Sequence, residues 1–474
     1  MYNSRLITIL RHIDKREYRK INDLVNSPYF NKNQDVVQLY EYLRKLAPAF
    51  KPEKLIKEDV FKKAFPNQKI TPARQNKLMF RLRELLEAHL AIQYADKNPH
   101  LIANFLSKQY ANIGIDDYAV KILDDAVDFL HIQPESIEKY DLINSLNTTV
   151  NYLKSFTYTE ENICSLQTAI NHLDKRYILQ KTQYEIILTI LREKYNLEIE
   201  QNGMDDLQKM YRHMQYDSPL LDTFIAILQA FKNPLSLDAY HLLKHCVLDK
   251  IDDFQPIEQN YCFRWLATFF TYVTRAIKSN RRDLNEEYLN LYKRGFQEKY
   301  LLHAKISASV FLNPFMVAGV LGDIEWCEHM MKNYLDYLHT SDRPHVDFFT
   351  NVYLNFVMEN DEKVVELMHN KTIFYHKNSS LQLLKFYQLL SLFRLEKFDE
   401  LYDSIEATRV FLYRQKDMNM EYRQHHLEGL KEYEYFFKIH RDKKKLKELL
   451  EKIKASRMPK HWLRKEIEKK LAEK

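Results

Sequence analysis

Asp283-Leu284-Asn285-Glu286-Glu287, Gly322-Asp323-Ile324-Glu325-Trp326-Cys327, Asn360-Asp361-Glu362-Lys363-Val364-Val365 and Glu396-Lys397-Phe398-Asp399-Glu400-Leu401 are four appearances of one short pattern between Asp283 and Leu412. Aligned on Leu284, Ile324, Glu362 and Phe398, they stand 324−284=40, 362−324=38 and 398−362=36 residues apart. Each copy begins with a small or polar turn and opens a helix whose apolar residues recur three and four apart, as in Phe398, Leu401, Tyr402 and Ile405. Another apolar helix precedes the turn, such as Leu381 to Phe393. A period of this length is the mark of a helix pair repeated in tandem.

Composition supports the helical reading. The chain has 474 residues, enough for two or three domains, and 45% of them are apolar. It contains six glycines, where the usual ~7% would give on the order of thirty. Phosphate-cradling loops need glycine so that backbone amides can approach the ligand, and these six complete neither the dinucleotide fingerprint nor the P-loop. Gly319 and Gly322 share one internal spacing of the fingerprint, but Val317 stands where its first glycine belongs. The prolines punctuate long periodic segments, and no alternating apolar and polar run of strand length is bounded by turn residues.

The repeated turn and its helices resemble the tetratricopeptide-like superfamily, although the period here exceeds the ~34 residues usual there. That resemblance implies an all-α fold: an α-solenoid of stacked antiparallel helix pairs with an N-terminal helical unit. The divisions expected are 1–96, a basic N-terminal helical unit; 97–203, a first repeat segment; 204–440, the solenoid; and 441–474, basic capping helices. Gly114-Ile115-Asp116-Asp117-Tyr118-Ala119 and Ser236-Leu237-Asp238-Ala239-Tyr240 read as earlier, degenerate copies of the turn, and Asn196 to Asp205, with Gly203, as a hinge.

The formal charge of +6 hides a division. Residues 1 to 96 hold 19 Lys and Arg against 11 Asp and Glu, and residues 441 to 474 hold 14 against 6, so each end carries +8 and the middle 6−8−8=−10. Basic ends either contact an acidic partner or lie against the acidic body. Cys164, Cys246, Cys262 and Cys327 are far apart with no Cys-x-x-Cys, as expected of reduced cytoplasmic thiols. The most apolar window, Ile306 to Leu321, is shorter than the ~20 residues needed to span a bilayer. It reads as a buried helix bent or broken at Pro314.

Residues 3 to 48 predict three helices, with Asp14 and Glu17 forming a capping box at the second. Ser27-Pro28-Tyr29-Phe30-Asn31-Lys32-Asn33 then breaks the chain around two aromatics, which either anchor a partner or tuck back onto the helices. Thr71 and Pro72 open a long helix with the apolar stripe Leu78, Leu82, Leu85, Leu86 and Leu90, flanked by Arg74, Lys77 and Arg81. A short helix from Lys57 to Phe65 followed by this basic one is similar to part of a helix-turn-helix DNA reader, without a wing. Near the C-terminus, Lys443-Lys444-Lys445 opens a charged helix, and a last one carries Trp462, Leu463, Ile467 and Leu471 on a narrow stripe, as expected of a polar cap closing a solenoid.

Signs of catalysis are few. His241 and His245 share a helix face, but Cys246 points away and no third metal ligand can be named. No nucleophile elbow or cysteine-nucleophile signature occurs. The sequence therefore points to a non-enzymatic, cofactor-free, cytoplasmic scaffold holding a protein or peptide. The alternative is a nucleic-acid-associated regulator gripping phosphates through Arg74, Lys77, Arg81, Lys443, Lys444 and Lys445.

Overall fold

The computed structural model describes residues 1–14, 16–47, 49–68, 70–154, 160–195, 218–277, 282–303, 305–369, 380–414, 420–454 and 461–473. The Asn196 to Asp205 hinge lies outside them. Among the described residues the secondary structure is helical with two isolated β-bridges and no strand. The chain divides into two compact units, Met1–Gln133 with Glu138–Asp174, and Pro134–Ile137 with Lys175–Lys474.

The first unit begins with α1 (Arg5–His12), α2 (Glu17–Asn26), α3 (Gln34–Lys45), α4 (Lys57–Ala64) and α5 (Pro72–Asp96). The Thr71 hydroxyl accepts from the Arg74 amide to cap α5, and α1, α2 and α3 all pack on that helix. Leu6, Ile7 and Leu10 meet Ile21, Val25, Leu39, Tyr40 and Leu43 over the stripe Leu78, Leu82, Leu85 and Leu86. Leu90, expected on the same stripe, is instead exposed. The capping box also fails. Asp14 accepts from the Arg16 amide at 2.9 Å, but Glu17 turns to buried His89 of α5, 3.2 Å away. Next come α6 (Pro99–Asn112), α7 (Asp116–His131), α8 (Ile137–Lys154) and α9 (Glu160–Tyr195), the unit boundary at Asp174 falling within α9, with Ala103, Leu123, Leu130, Ile143 and Val150 forming a second core.

The second unit contains α10 (Pro219–Lys232), α11 (Leu237–Leu248), α12 (Pro256–Ile277), α13 (Arg282–Gln297), α14 (Ala308–Leu321), α15 (Ile324–Tyr334) and α16 (Arg343–Val357). It continues with α17 (Asp361–His369), α18 (Ser380–Arg394), α19 (Phe398–Arg414), α20 (Met420–Ile439), α21 (Lys443–Lys454) and α22 (His461–Ala472). From α10 onward each helix packs on the next, and α10 with α12, α14 with α16, and α16 with α18 touch as well.

The last three copies of the repeated turn share one local structure. Gly322, Glu359 and Glu396 are left-handed, with φ of 81°, 58° and 55°. In each case the next amide reaches back to the carbonyl five residues earlier: Asp323 to Ala318, Asn360 to Asn355, and Lys397 to Leu392, at 2.9 to 3.0 Å. This is the closure of a Schellman motif, which satisfies the last carbonyls of a helix and reverses the chain. Gly114, with φ of 76° and the Ile115 amide on Tyr110, is a fourth example, between α6 and α7. Measured on the left-handed residue, the step is constant (359−322 and 396−359 both equal 37). The residue equivalent to Ile324 and Phe398 is therefore buried Asp361, and exposed Glu362 falls outside the register assigned from sequence.

Pro314 lies inside α14, which runs through it without a break. Close packing on this helix needs Gly319, where a Cβ would stand 2.5 Å from Tyr353 Cε1 and 2.7 Å from its hydroxyl. Tyr353 is buried and donates to the Met316 carbonyl at 2.7 Å, so its ring is held in place. Gly319→Ala is expected to lower the stability of this unit by about 1–3 kcal/mol, read from the urea midpoint, because overpacking forces neighbours out of their rotamers.

The last helix does not simply end the succession. Trp462 of α22 sits edge-on to Tyr353 and Phe356 of α16, with centroids at 6.2 and 5.2 Å, and Leu463 and Ile467 are buried beside it. Arg394 of α18 holds Glu466 at 2.9 Å and Asp361 at 3.4 Å, and Ser391 donates to Asp361 at 2.6 Å. The residues expected to form a terminal cap thus lie against α16 and α18.

Candidate functional site: a basic, aromatic cleft on the first unit

Two segments separated by some forty residues of sequence form one cleft of about 900 Å³, lined by Tyr29 to Asp35 and by Arg74, Lys77, Leu78, Phe80, Arg81 and Glu84. Packing of α2 and α3 on α5 brings them together. On α5, residues 74, 77, 81 and 84 recur three and four apart and so share one face, on the flank of the apolar stripe.

The loop opposite is held rigidly by its own polar groups. Phe30 and Asn31 amides donate to the Ser27 carbonyl at 3.1 and 2.8 Å. The buried Asn31 side chain donates to the Val25 carbonyl at 2.9 Å and the Asn33 carbonyl at 3.2 Å, and accepts from the Asn33 amide at 3.1 Å. Asn33 then caps α3, accepting from the Asp35 amide at 3.0 Å. Arg81 reaches across to the Phe30 carbonyl at 3.1 Å, tying loop to helix.

The two aromatics part company. Phe30 packs partly against the core, whereas Tyr29 is 89% exposed, its ring edge-on to Phe30 at 5.0 Å. Phe80 is also half exposed, with the Arg83 guanidinium 4.8 Å from its centroid.

Charge in the cleft is unevenly spent. Asp35 pairs with Arg74, and Glu84 pairs with Arg81 at 3.1 Å. Lys32 and Lys77 are exposed and have no ion pair or hydrogen bond among the described residues. An anion entering the cleft thus meets two free ammonium groups without displacing an internal partner.

Of the six basic residues singled out in the sequence, Arg74, Lys77 and Arg81 line this cleft. The other three lie in the second unit, at the start of α21. Lys443 donates to the Glu473 carbonyl at 2.5 Å, Lys445 pairs with Asp442 at 3.2 Å, and Lys444 is exposed. Sequence reasoning passed over Lys32 and Phe80. Phe80 carried a signal, being apolar, off the core stripe and three residues from Lys77. Among the described residues no His, Cys, Asp or Glu group is arranged to hold a metal, and all four cysteines are free. No helix among them is long and apolar enough to cross a membrane. No protein-family model, curated protein or solved structure matches the chain.

Proposed function

We propose that this chain is a non-enzymatic binding scaffold of the cytoplasm. In this reading the second unit is a right-handed solenoid of antiparallel helix pairs of the tetratricopeptide-like kind, holding a protein or peptide, and the first unit offers its cleft to an anionic partner. The observation that carries the reading is the cleft itself: a rigid loop and a helix presenting uncompensated Lys32 and Lys77 beside exposed Tyr29 and Phe80. Aromatic rings contribute contact area at low entropic cost, and free cations give electrostatic attraction without breaking an existing pair. The succession of neighbour-packed helices and the constant 37-residue turn support the solenoid, since stacked repeats touch chiefly their neighbours. The same cleft favours a second reading, a nucleic-acid-associated regulator, because cations and exposed rings share one groove.

Affinity capture from native extract, with and without nuclease, tests both. The scaffold reading expects a discrete partner retained by the wild-type protein and reduced at least tenfold by Lys32→Gln/Lys77→Gln. A partner that survives nuclease supports the protein scaffold, and one lost with nuclease supports the regulator. Retention unchanged by the double substitution would remove the cleft from the account.

A further inference from the structure

We infer that the cleft between the Ser27 to Asn33 loop and the first half of α5 binds single-stranded nucleic acid, with Tyr29 and Phe80 stacking on bases and Lys32 and Lys77 neutralising phosphates. The inference rests on the regulator reading and goes beyond it by choosing strand over duplex.

The shape makes that choice. A helix that reads duplex DNA must enter the major groove with its leading side chains free to reach base edges. Here Arg74 and Arg81 are engaged with Asp35 and with the Phe30 carbonyl. The loop bearing Tyr29 lies beside the basic face of α5, so that face is one wall of a concavity. A concave wall suits a strand.

The chemistry agrees. Each nucleotide brings a phosphate and a flat π-face together, and single-strand grooves pair cations with exposed aromatics for that reason. An acidic peptide would satisfy Lys32 and Lys77 but need offer nothing flat to a tyrosine ring that is 89% exposed. Asn31 and Arg81 hold the loop in place before a ligand arrives, so little ordering cost is added on binding.

Fluorescence anisotropy of full-length protein with a labelled 12-nucleotide oligo(dT), a 12-base-pair duplex and a 12-residue poly-Glu peptide tests this. The strand is expected to bind best. Its affinity should fall about 7-fold from 50 to 200 mM salt if two phosphates are neutralised and about 50-fold if four are. Tyr29→Ala should weaken it about 5- to 150-fold, the range for loss of one stacking ring. Tyr29 is solvent-facing, and circular dichroism checks that the variant is folded. Equal or tighter binding of duplex or peptide, lost with Lys32→Gln/Lys77→Gln but indifferent to Tyr29→Ala, would overturn the strand inference and leave an anion-binding cleft standing. Binding of none of the three probes would overturn both.

Discussion

Arg394→Ala is expected to cost the second unit about 3–5 kcal/mol, because it leaves two buried carboxylates facing each other's vicinity without their cation. The side chains of Arg394, Asp361 and Glu466 are 10%, 9% and 4% exposed, so the two carboxylates are largely shut off from bulk solvent. Burial already pushes the Asp361 carboxyl up in pKa, against the opposing pull of Ser391 and Arg394. Arg394→Lys should rescue little, since a single ammonium cannot serve both acids in the forked geometry. Arg394→Met/Glu466→Met should recover part of the loss by removing one orphaned charge. Urea unfolding followed by tryptophan fluorescence reads this unit alone, as Trp265, Trp326 and Trp462 all belong to it. A loss below 1 kcal/mol for Arg394→Ala would mean that α22 is not held by this network.

Acid is expected to weaken the same unit through His426. Burial pushes its imidazole down to about 4, with His425 adding to the shift. In the unfolded chain the group titrates near 6.5. Between those values the unfolded state takes a proton that the folded state refuses, so stability falls as pH drops from about 6.5 towards 4 and is unaffected by this group above that window. The difference is worth about 3 kcal/mol at the acid end. Burial also lowers His345 and His461, which act in the same direction, while the raised Asp361 carboxyl works against them. His426→Phe keeps a ring against Phe386, whose centroid is 6.0 Å away. It is expected to flatten the decline in urea midpoint between pH 6.5 and 4.5, and an unchanged slope would show that His426 is not its source.

Much of the helical skeleton is legible in the chain because its signals are local. Thr71-Pro72 opens α5, apolar residues three and four apart mark the buried faces, and small or polar residues mark the turns. The repeat is visible for the same reason, with Ile324 and Phe398 in register and the third copy one residue out, at Asp361 and not Glu362. Asp361 looks like a surface acid in sequence, and only its distant partners Ser391 and Arg394 explain its burial. Pro314 reads as a bend or a break, and α14 runs through it without a break. Leu90 and Glu17 depart from the sequence expectation because packing and long-range pairing, which periodicity does not encode, decide their environment.

The cleft was half legible. Arg74, Lys77 and Arg81 stood out as a basic flank, and Tyr29-Phe30 as an aromatic loop, each by itself. That they share one cavity follows from α2 and α3 packing on α5. Lys32 matters only because Asp35 and Glu84 are already engaged, leaving it without a counter-charge. A charge count cannot reveal that.

Hydrogen exchange of the full-length protein, alone and with the 12-nucleotide strand, tests the claim that the first-unit cleft is where this scaffold takes its anionic partner. Protection concentrated in residues 27–35 and 72–84 is the expected result. Protection confined to the Lys443 to Lys454 helix, with those two segments unchanged, would contradict it.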